Sequence, residues 1–403
     1  MSNPILDRTF KSIPDGWRVQ PISEALLEVD QPINMRNDEL YQLVSVRRRN
    51  GGLFYRESLK GSHILTKTLR WVVPKTFVVA RMQVVHGATA FVSDDFAGSA
   101  VSKSYSSFAG TDICDAEFFS WMARLPFMYA YFMDSSQGIV IEKMTFDQNR
   151  WLSLPVPLPP LTEQRKITEI LCLIDEQIRN SEEIIAKLKL VKTGLSTNLF
   201  DRTGWKLRPL GDVADIKNGT TPSRARADYW TNGSIPWLAS GKVNDYIVSQ
   251  PSEYVTGRAF SDCGLTLLPV GSVVVGMIGD GKTRGMSARL AIASAINQNL
   301  AGILPGRELD GAFLHQYLVH SYDRLRGGGR GSNQDALNTS LVSEFLVPVP
   351  TQFEQSRVVQ LLDTVDVRAA AEKANRQKLD SLLHGVMSDL LTGCVRVPVE
   401  VAS

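Results

Sequence analysis

The chain of 403 residues lacks an excess of charge of either sign: 44 Lys and Arg stand against 42 Asp and Glu, a formal net charge of +2. A protein that grips nucleic acid unaided through a broad phosphate footprint is usually more basic. Binding to a polyanion must therefore rest on local clusters or on partner subunits. Cysteine is scarce too. Cys114, Cys172, Cys263 and Cys394 are scattered without a close pair, which speaks against a disulfide framework or a zinc pattern and points to reduced thiols. The five histidines (His63, His86, His315, His320, His384) show no metal-ligand spacing. The opening MSNPILDRTFKSIPDGW has no signal-peptide apolar core, and no run approaches the ~20 apolar residues that span a bilayer. The expected location is the cytoplasm, with no membrane partner. At 43% hydrophobic and 21% charged residues, the composition is that of a globular chain long enough for two to three domains.

What the chain does have is an internal repeat, the first feature to establish because it governs the fold. Gly16-Trp17-Arg18-Val19-Gln20-Pro21-Ile22 matches Gly204-Trp205-Lys206-Leu207-Arg208-Pro209-Leu210, 188 positions on. Pro157-Leu158-Pro159 leading to Glu163-Gln164 matches Pro348-Val349-Pro350 leading to Glu354-Gln355, 191 positions on. The two halves share one plan, with a net insertion of three residues in the second. In each half a part rich in Gly, aromatic and β-branched residues comes first (about 17–155 and 205–346). Short apolar runs at Trp71-Val72-Val73, Phe77-Val78-Val79-Ala80 and Ser272-Val273-Val274-Val275 predict strands. Apolar spacing predicts helices over Phe118 to Met133 and Ala312 to Leu325.

The second part of each half is a heptad stripe. Ile167, Leu171, Ile174, Ile178, Ile185, Leu188, Leu195 and Leu199 alternate spacings of four and three, interrupted only at Ser181 and Lys192. Val358, Leu362, Val365, Ala369, Leu379, Leu383, Val386 and Leu390 repeat the pattern, interrupted at Glu372 and Arg376. Such seams call for a helical partner. Residues 161–200 as one helix extend about 60 Å at 1.5 Å per residue. Period alone leaves open whether the two helices pair with each other or with another chain; antiparallel pairing within the chain is geometrically natural. The expected fold is α+β: two mixed α/β domains in tandem pseudo-repeat, each followed by a long helix, with the helices forming an antiparallel coiled coil. The corresponding segments are 1–157 and 204–348 for the domains, 158–203 for the central helix, and 349–403 for the distal helix and tail.

The junction into the first helix, Leu154-Pro155-Val156-Pro157-Leu158-Pro159-Pro160-Leu161-Thr162-Glu163-Gln164-Arg165-Lys166-Ile167, explains itself physically. Alternate prolines remove amide donors and enforce an extended strap, and Thr162 is placed to cap the helix. Its second copy runs Phe345-Leu346-Val347-Pro348-Val349-Pro350-Thr351-Gln352-Phe353-Glu354-Gln355, with Phe353 in place of Thr162 and Ser356 in place of Arg165. These junctions, with Gly219-Thr220-Thr221-Pro222-Ser223, Ile235-Pro236-Trp237 and Asn297-Gln298, resemble the specificity subunits of type I restriction–modification systems, over nearly the whole chain.

That resemblance implies a non-catalytic bacterial or archaeal subunit with two target-recognition domains, each reading one half of a split site in double-stranded DNA. The helices would set the spacing and dock two methyltransferase subunits, and motor-nuclease subunits would join the assembly. It also implies no cofactor on this chain: S-adenosylmethionine, ATP and magnesium belong to the partners.

Candidate DNA contacts are Arg, Lys, Asn and Gln for bases, with hydroxyls and amides for phosphates. In the first domain these are Arg47, Arg48, Arg49 and Lys60, then Lys103 and Tyr105, and Gln137. In the second they are Thr221, Arg224, Arg226, Lys242, Lys282, Arg284, Arg330, Ser332 and Asn333. An alternative reading rests on Gly276-Met277-Ile278-Gly279-Asp280-Gly281-Lys282-Thr283, which fits the phosphate-binding loop of nucleotide hydrolases. Gly285 is a poor start for the helix such a loop requires. A third reading, a pure coiled-coil scaffold, has no need of two large duplicated domains.

Overall fold

The computed structural model describes residues 4–10, 12–141, 144–201, 204–279, 281–327 and 337–398. The chain forms two compact units, Met1–Ser181 with Asn375–Ser403, and Glu182–Ala374. Each unit holds one globular part and the stretches of both long helices that pack on it.

In the first unit, the buried run Thr76–Ala80 lies inside a four-stranded antiparallel sheet. Its order is Leu26–Val29, Tyr105–Gly110, Thr76–Ala80, Thr89–Phe91. A second four-stranded sheet runs Leu53–Lys60, Leu40–Val46, Ser99–Ser102, Leu69–Trp71. The core centres on Trp151, which is fully buried against Phe77, Phe108, Phe119, Phe132 and Phe146. The helix expected over 118–133 is two helices, Ala116–Met122 and Pro126–Asp134. Pro126 cannot continue the hydrogen-bond ladder and holds Leu125 extended (ψ 149°). The expected strand at Trp71-Val72-Val73 ends at Trp71, just before Pro74.

The second unit repeats the sheet order: Ala214–Asn218, Leu300–Pro305, Val273–Gly276, Ser287–Leu290, extended by Ile247–Val248. A three-stranded sheet follows the order Glu253–Val255, Ile235–Leu238, Ala295–Ile296. The helix expected over 312–325 is again divided, into Gly311–His320 and Tyr322–Gly327.

The two repeated motifs meet in both units. Arg18–Pro21 pairs antiparallel with Pro155–Leu158, and Leu207–Pro209 with Leu346–Pro348. Each ribbon leads into a long helix, where a fully buried glutamine ties the parts together. Gln164 Oε1 accepts from the Asp115 amide (2.8 Å), and its Nε2 donates to the carbonyls of Ile113 and Pro159 (2.8 Å each). Gln355 repeats the knot on the Asp310 amide (2.7 Å) and the carbonyls of Glu308 and Pro350 (2.8 and 2.9 Å). Asp115 and Asp310 in turn cap Ala116–Met122 and Gly311–His320. One amide side chain thus joins strap, globular-domain helix and long helix.

The helix starts differ between the copies. Thr351 and Glu354 form a reciprocal cap, with the Thr351 amide and hydroxyl on Glu354 Oε2 at 2.9 and 2.8 Å. In the first copy Pro160 stands where Thr351 does, and its carbonyl accepts from the Glu163 and Gln164 amides. That helix therefore begins at Leu161, and Thr162 lies inside its first turn rather than capping it. Glu163, left without a cap to make, is buried and takes a two-point ion pair from Arg396 (2.7 and 2.8 Å).

Both long helices are continuous, Leu161–Phe200 and Gln352–Leu391, and they pack antiparallel. In the first unit Ile167, Leu171 and Ile178 share a core with Leu383, Met387 and Leu390, and Asn375 donates to Ser181 (3.3 Å). In the second, Leu195 and Leu199 pack with Val358 and Leu362. The interruptions stay in the seam: Ser181 and Glu372 are buried. Lys192 Nζ lies 2.6 and 2.8 Å from the Asp366 carboxylate and 2.6 Å from the Tyr246 hydroxyl. Gln316 adds bonds to Asp363 and Asp366 (2.9 and 2.8 Å). A helix-to-helix ion pair is thereby bolted to the globular part of its own unit.

Two outcomes follow. Gln164→Leu strands three buried backbone groups and lowers the stability of the first unit by about 3 kcal/mol in denaturant unfolding; a loss below about 1 kcal/mol removes the knot from its role. Lys192→Met leaves Asp366 half-buried without its cation and costs about 2 kcal/mol. Lys192→Met with Asp366→Leu recovers part of that cost, and a purely additive cycle contradicts the lock.

Candidate nucleic-acid interface

The common sheet places candidate residues at one edge in both units. In the first, Ala80 pairs with Tyr105 and Val29 with Ser107, so the end of one strand adjoins the start of the next. There the exposed Lys103 sits in the turn before Tyr105, and Arg81 donates to the Lys103 carbonyl. The Tyr105 hydroxyl bonds Ser45 Oγ (2.9 Å), which lies two residues from the Arg47–Gly52 turn. In that turn Arg49 and Asn50 have φ of 58° and 53°. The Arg49 and Asn50 amides donate to the carbonyls of His86 and Gly87 (2.8 Å each). Arg47, Arg48 and Arg49 are exposed on this pinned turn, and Arg47 stacks on Phe54 at 4.5 Å.

Lys60 does not join this group. It faces Leu40 at the far end of the hairpin, roughly 20 Å along the strand from the turn at 3.3 Å per residue. Gln137 is exposed on the short hairpin of Ser136–Gln137 with Thr145–Phe146, and the exposed Ile139, Val140 and Ile141 follow it. Arg81 escaped sequence reasoning. Its signal was a cation directly after the apolar run Phe77-Val78-Val79-Ala80, which marks a strand end.

In the second unit the same edge is built around Asn297-Gln298-Asn299. Gly276 pairs with Leu300 and Asn218 with Ala301. The Thr221 hydroxyl bonds the exposed Gln298 on one side (2.5 Å), and the Met277 amide bonds the Asn299 carbonyl on the other (2.9 Å). Gly219 lies so close to the backbone of Ile296 and Asn297 that a Cβ there would come within 2.2 Å of a carbonyl oxygen. The loop beyond it carries Arg224 and Arg226, both in ion pairs with carboxylates. Arg224 meets Glu253, and Arg226 meets Asp228. These guanidinium bonds hold the carboxyls of Glu253 and Asp228 below the usual range. Lys242 pairs with Asp245 (2.7 Å).

Lys282 and Arg284 lie in the turn after Val273–Gly276. The Tyr322 hydroxyl donates to the Lys282 carbonyl (2.9 Å) and Arg326 to the Arg284 carbonyl (3.2 Å). This turn leads back into the antiparallel strand Ser287–Leu290, and no helix begins among its described residues. The strand–loop–helix order that a nucleotide-binding loop needs is therefore not met by Gly276–Thr283. Arg330, Ser332 and Asn333 lie outside the described residues. The four cysteines are free thiols. Among the described residues no acidic, histidine or cysteine cluster could hold a metal ion, and no helix is long and apolar enough to cross a membrane.

Each unit thus carries the same four-strand order, with loops gathered at one edge, on its own stretches of the two long helices. Residues 202–381 match the family model of the type I restriction modification DNA specificity domain. The chain is similar to specificity subunits of type I restriction enzymes. It is 23% identical to the EcoR124I/EcoR124II specificity subunit of Escherichia coli, across 72% of this chain and 78% of that one. It is 24% identical to the MjaIX specificity subunit of Methanocaldococcus jannaschii, across 44% of this chain and 41% of that one. The fold matches the crystal structure of a type I S subunit from M. genitalium at a TM-score of 0.64 and 13% identity, covering 95% of this chain and 98% of that one.

Lys282→Ala is expected to weaken binding to every DNA duplex alike and to lower the slope of log affinity against log salt by about 1. An unchanged slope removes Lys282 from the phosphate contacts.

Proposed function

We propose that each recognition domain reads one half of a bipartite site in double-stranded DNA through this sheet edge. The paired helices set the gap between the half-sites. They also dock two methyltransferase subunits, to which motor-nuclease subunits add. S-adenosylmethionine, ATP and magnesium are bound by those partners, and the assembly works in the bacterial or archaeal cytoplasm. The observation that carries the reading is the duplication itself. The same strand order, capped helix and buried glutamine recur, and in both units several candidate side chains, Arg47–Arg49 and Lys103 in one and Thr221 and Lys282 in the other, lie at the equivalent edge. Two copies of one reader on a stiff support suit two half-sites at a fixed separation. The near-neutral net charge of +2 fits a subunit whose grip on DNA is shared with partners.

Methylation profiling of cells carrying this chain and its partners is expected to give a two-part motif. Matched seven-residue insertions in the two long helices lengthen the gap and leave both half-sites as they were. A one-part motif, or altered half-sites with an unchanged gap, overturns the proposal.

A further inference from the structure

Arg224 and Arg226 are built alike, and neither resembles an ordinary surface cation. The Arg224 guanidinium lies 3.7 Å above the Trp230 ring and 5.5 Å from that of Trp237. Its Nη1 and Nη2 each stand 2.6 Å from a Glu253 oxygen. Arg226 lies 4.1 Å above Tyr229, with Nε and Nη2 at 3.1 and 2.6 Å from the two Asp228 oxygens. The aromatic seats are themselves fixed. Trp230 Nε1 donates to the Ser223 carbonyl (3.2 Å), Trp237 Nε1 to the Thr220 carbonyl (3.1 Å), and the Tyr229 hydroxyl to Asp262 (3.0 Å).

Exposed ion pairs contribute little to stability, so what these two arrangements achieve is orientation. A guanidinium has five N–H donors, and a two-point carboxylate engages two of them. Glu253 takes the terminal edge of Arg224 and leaves the Nε side open. Asp228 takes the Nε side of Arg226 and leaves the terminal edge open. The side chains are 54% and 40% exposed, so each presents a flat donor edge to solvent, already held in place. The adjacent carboxylates repel a phosphate but not the uncharged edge of a base. A planar donor pair matches O6 and N7 of guanine in the major groove, and an orientation fixed before binding spares the cost of ordering a flexible side chain.

We propose that Arg224 and Arg226 are the guanine-reading side chains of the second recognition domain, with Glu253 and Asp228 as their positioning residues. The inference rests on the bipartite reading above and names the chemistry of one of its half-sites.

The test uses the complex with its methyltransferase partners. Its affinity is measured for duplexes in which each base pair of the second half-site is changed singly. For the wild type, replacing either of two G·C pairs is expected to weaken binding roughly 5- to 150-fold, the discrimination of one two-point contact. Arg224→Lys keeps the charge but lacks the planar fork; it loses the preference at one of these pairs, with the salt slope and the other positions unchanged. Arg226→Lys does the same at the other pair. Glu253→Gln reduces the preference at the Arg224 pair without changing the melting temperature.

Retained preference in the lysine variants overturns the inference. So does an equal loss on every duplex, or a second half-site without guanine on either strand. A wild-type complex indifferent to the whole second half-site overturns the bipartite reading and the inference with it, and the wild-type measurement alone reveals that case.

Discussion

The buried amide of a single glutamine side chain, Gln164 in one unit and Gln355 in the other, fixes where each globular domain sits on its helix. Proline-rich straps give stiffness but few donors, because every proline removes an amide from the backbone. The strap carbonyls and the first turn of the domain helix still need partners once buried. A glutamine in the first turn of the long helix supplies both a donor pair and an acceptor, and it reaches three segments at once. Loop conformations at the sheet edge can vary without disturbing this fastening, which lies on the helix side of the domain.

Beyond the knots the two units diverge, and the divergence follows from a single position. Threonine at 351 allows a reciprocal cap with Glu354. Proline at 160 forbids one, and Glu163 is held instead by Arg396 from the segment after the distal helix. The seam shows a similar economy. Lys192 occupies a position the heptad assigns to an apolar residue, yet Asp366, Tyr246 and Gln316 surround it. Polar residues in such seams specify register at some cost in stability, and here the same cluster also holds the globular domain of its unit.

The repeat, the heptads and the antiparallel α+β plan were legible in the sequence because each leaves a periodic or duplicated trace. The pairing of the Gly-Trp motif with the proline strap was not, since register between segments some 140 residues apart leaves no local signal. The broken helix at Leu125-Pro126 could have been read from the proline alone. Lys60 was grouped with Arg47–Arg49 by proximity in sequence, and the hairpin separates them. The phosphate-loop pattern at Gly276–Thr283 matched in letters but sits in a hairpin. Charge counting also missed that Arg224 already holds a carboxylate, because Glu253 comes from a distant strand, whereas the partner of Arg226, Asp228, lies only two residues on. The junction motifs were enough to show which proteins the chain is similar to, while the seating of Arg224 and Arg226 needed side-chain geometry.

The parts that recur in the two units are the strand order, the strap ribbon and the buried glutamine. The glutamine knots hold globular domain and helix together as one body within each unit. Hydrogen exchange at the Asp115 and Asp310 amides tests this most directly. Both are expected to exchange only when their unit unfolds, with protection close to that of the core strands Thr76–Ala80 and Val273–Gly276. Exchange at the rate of the exposed turns would contradict the account, because the domain would then be free to leave its helix while both remained folded.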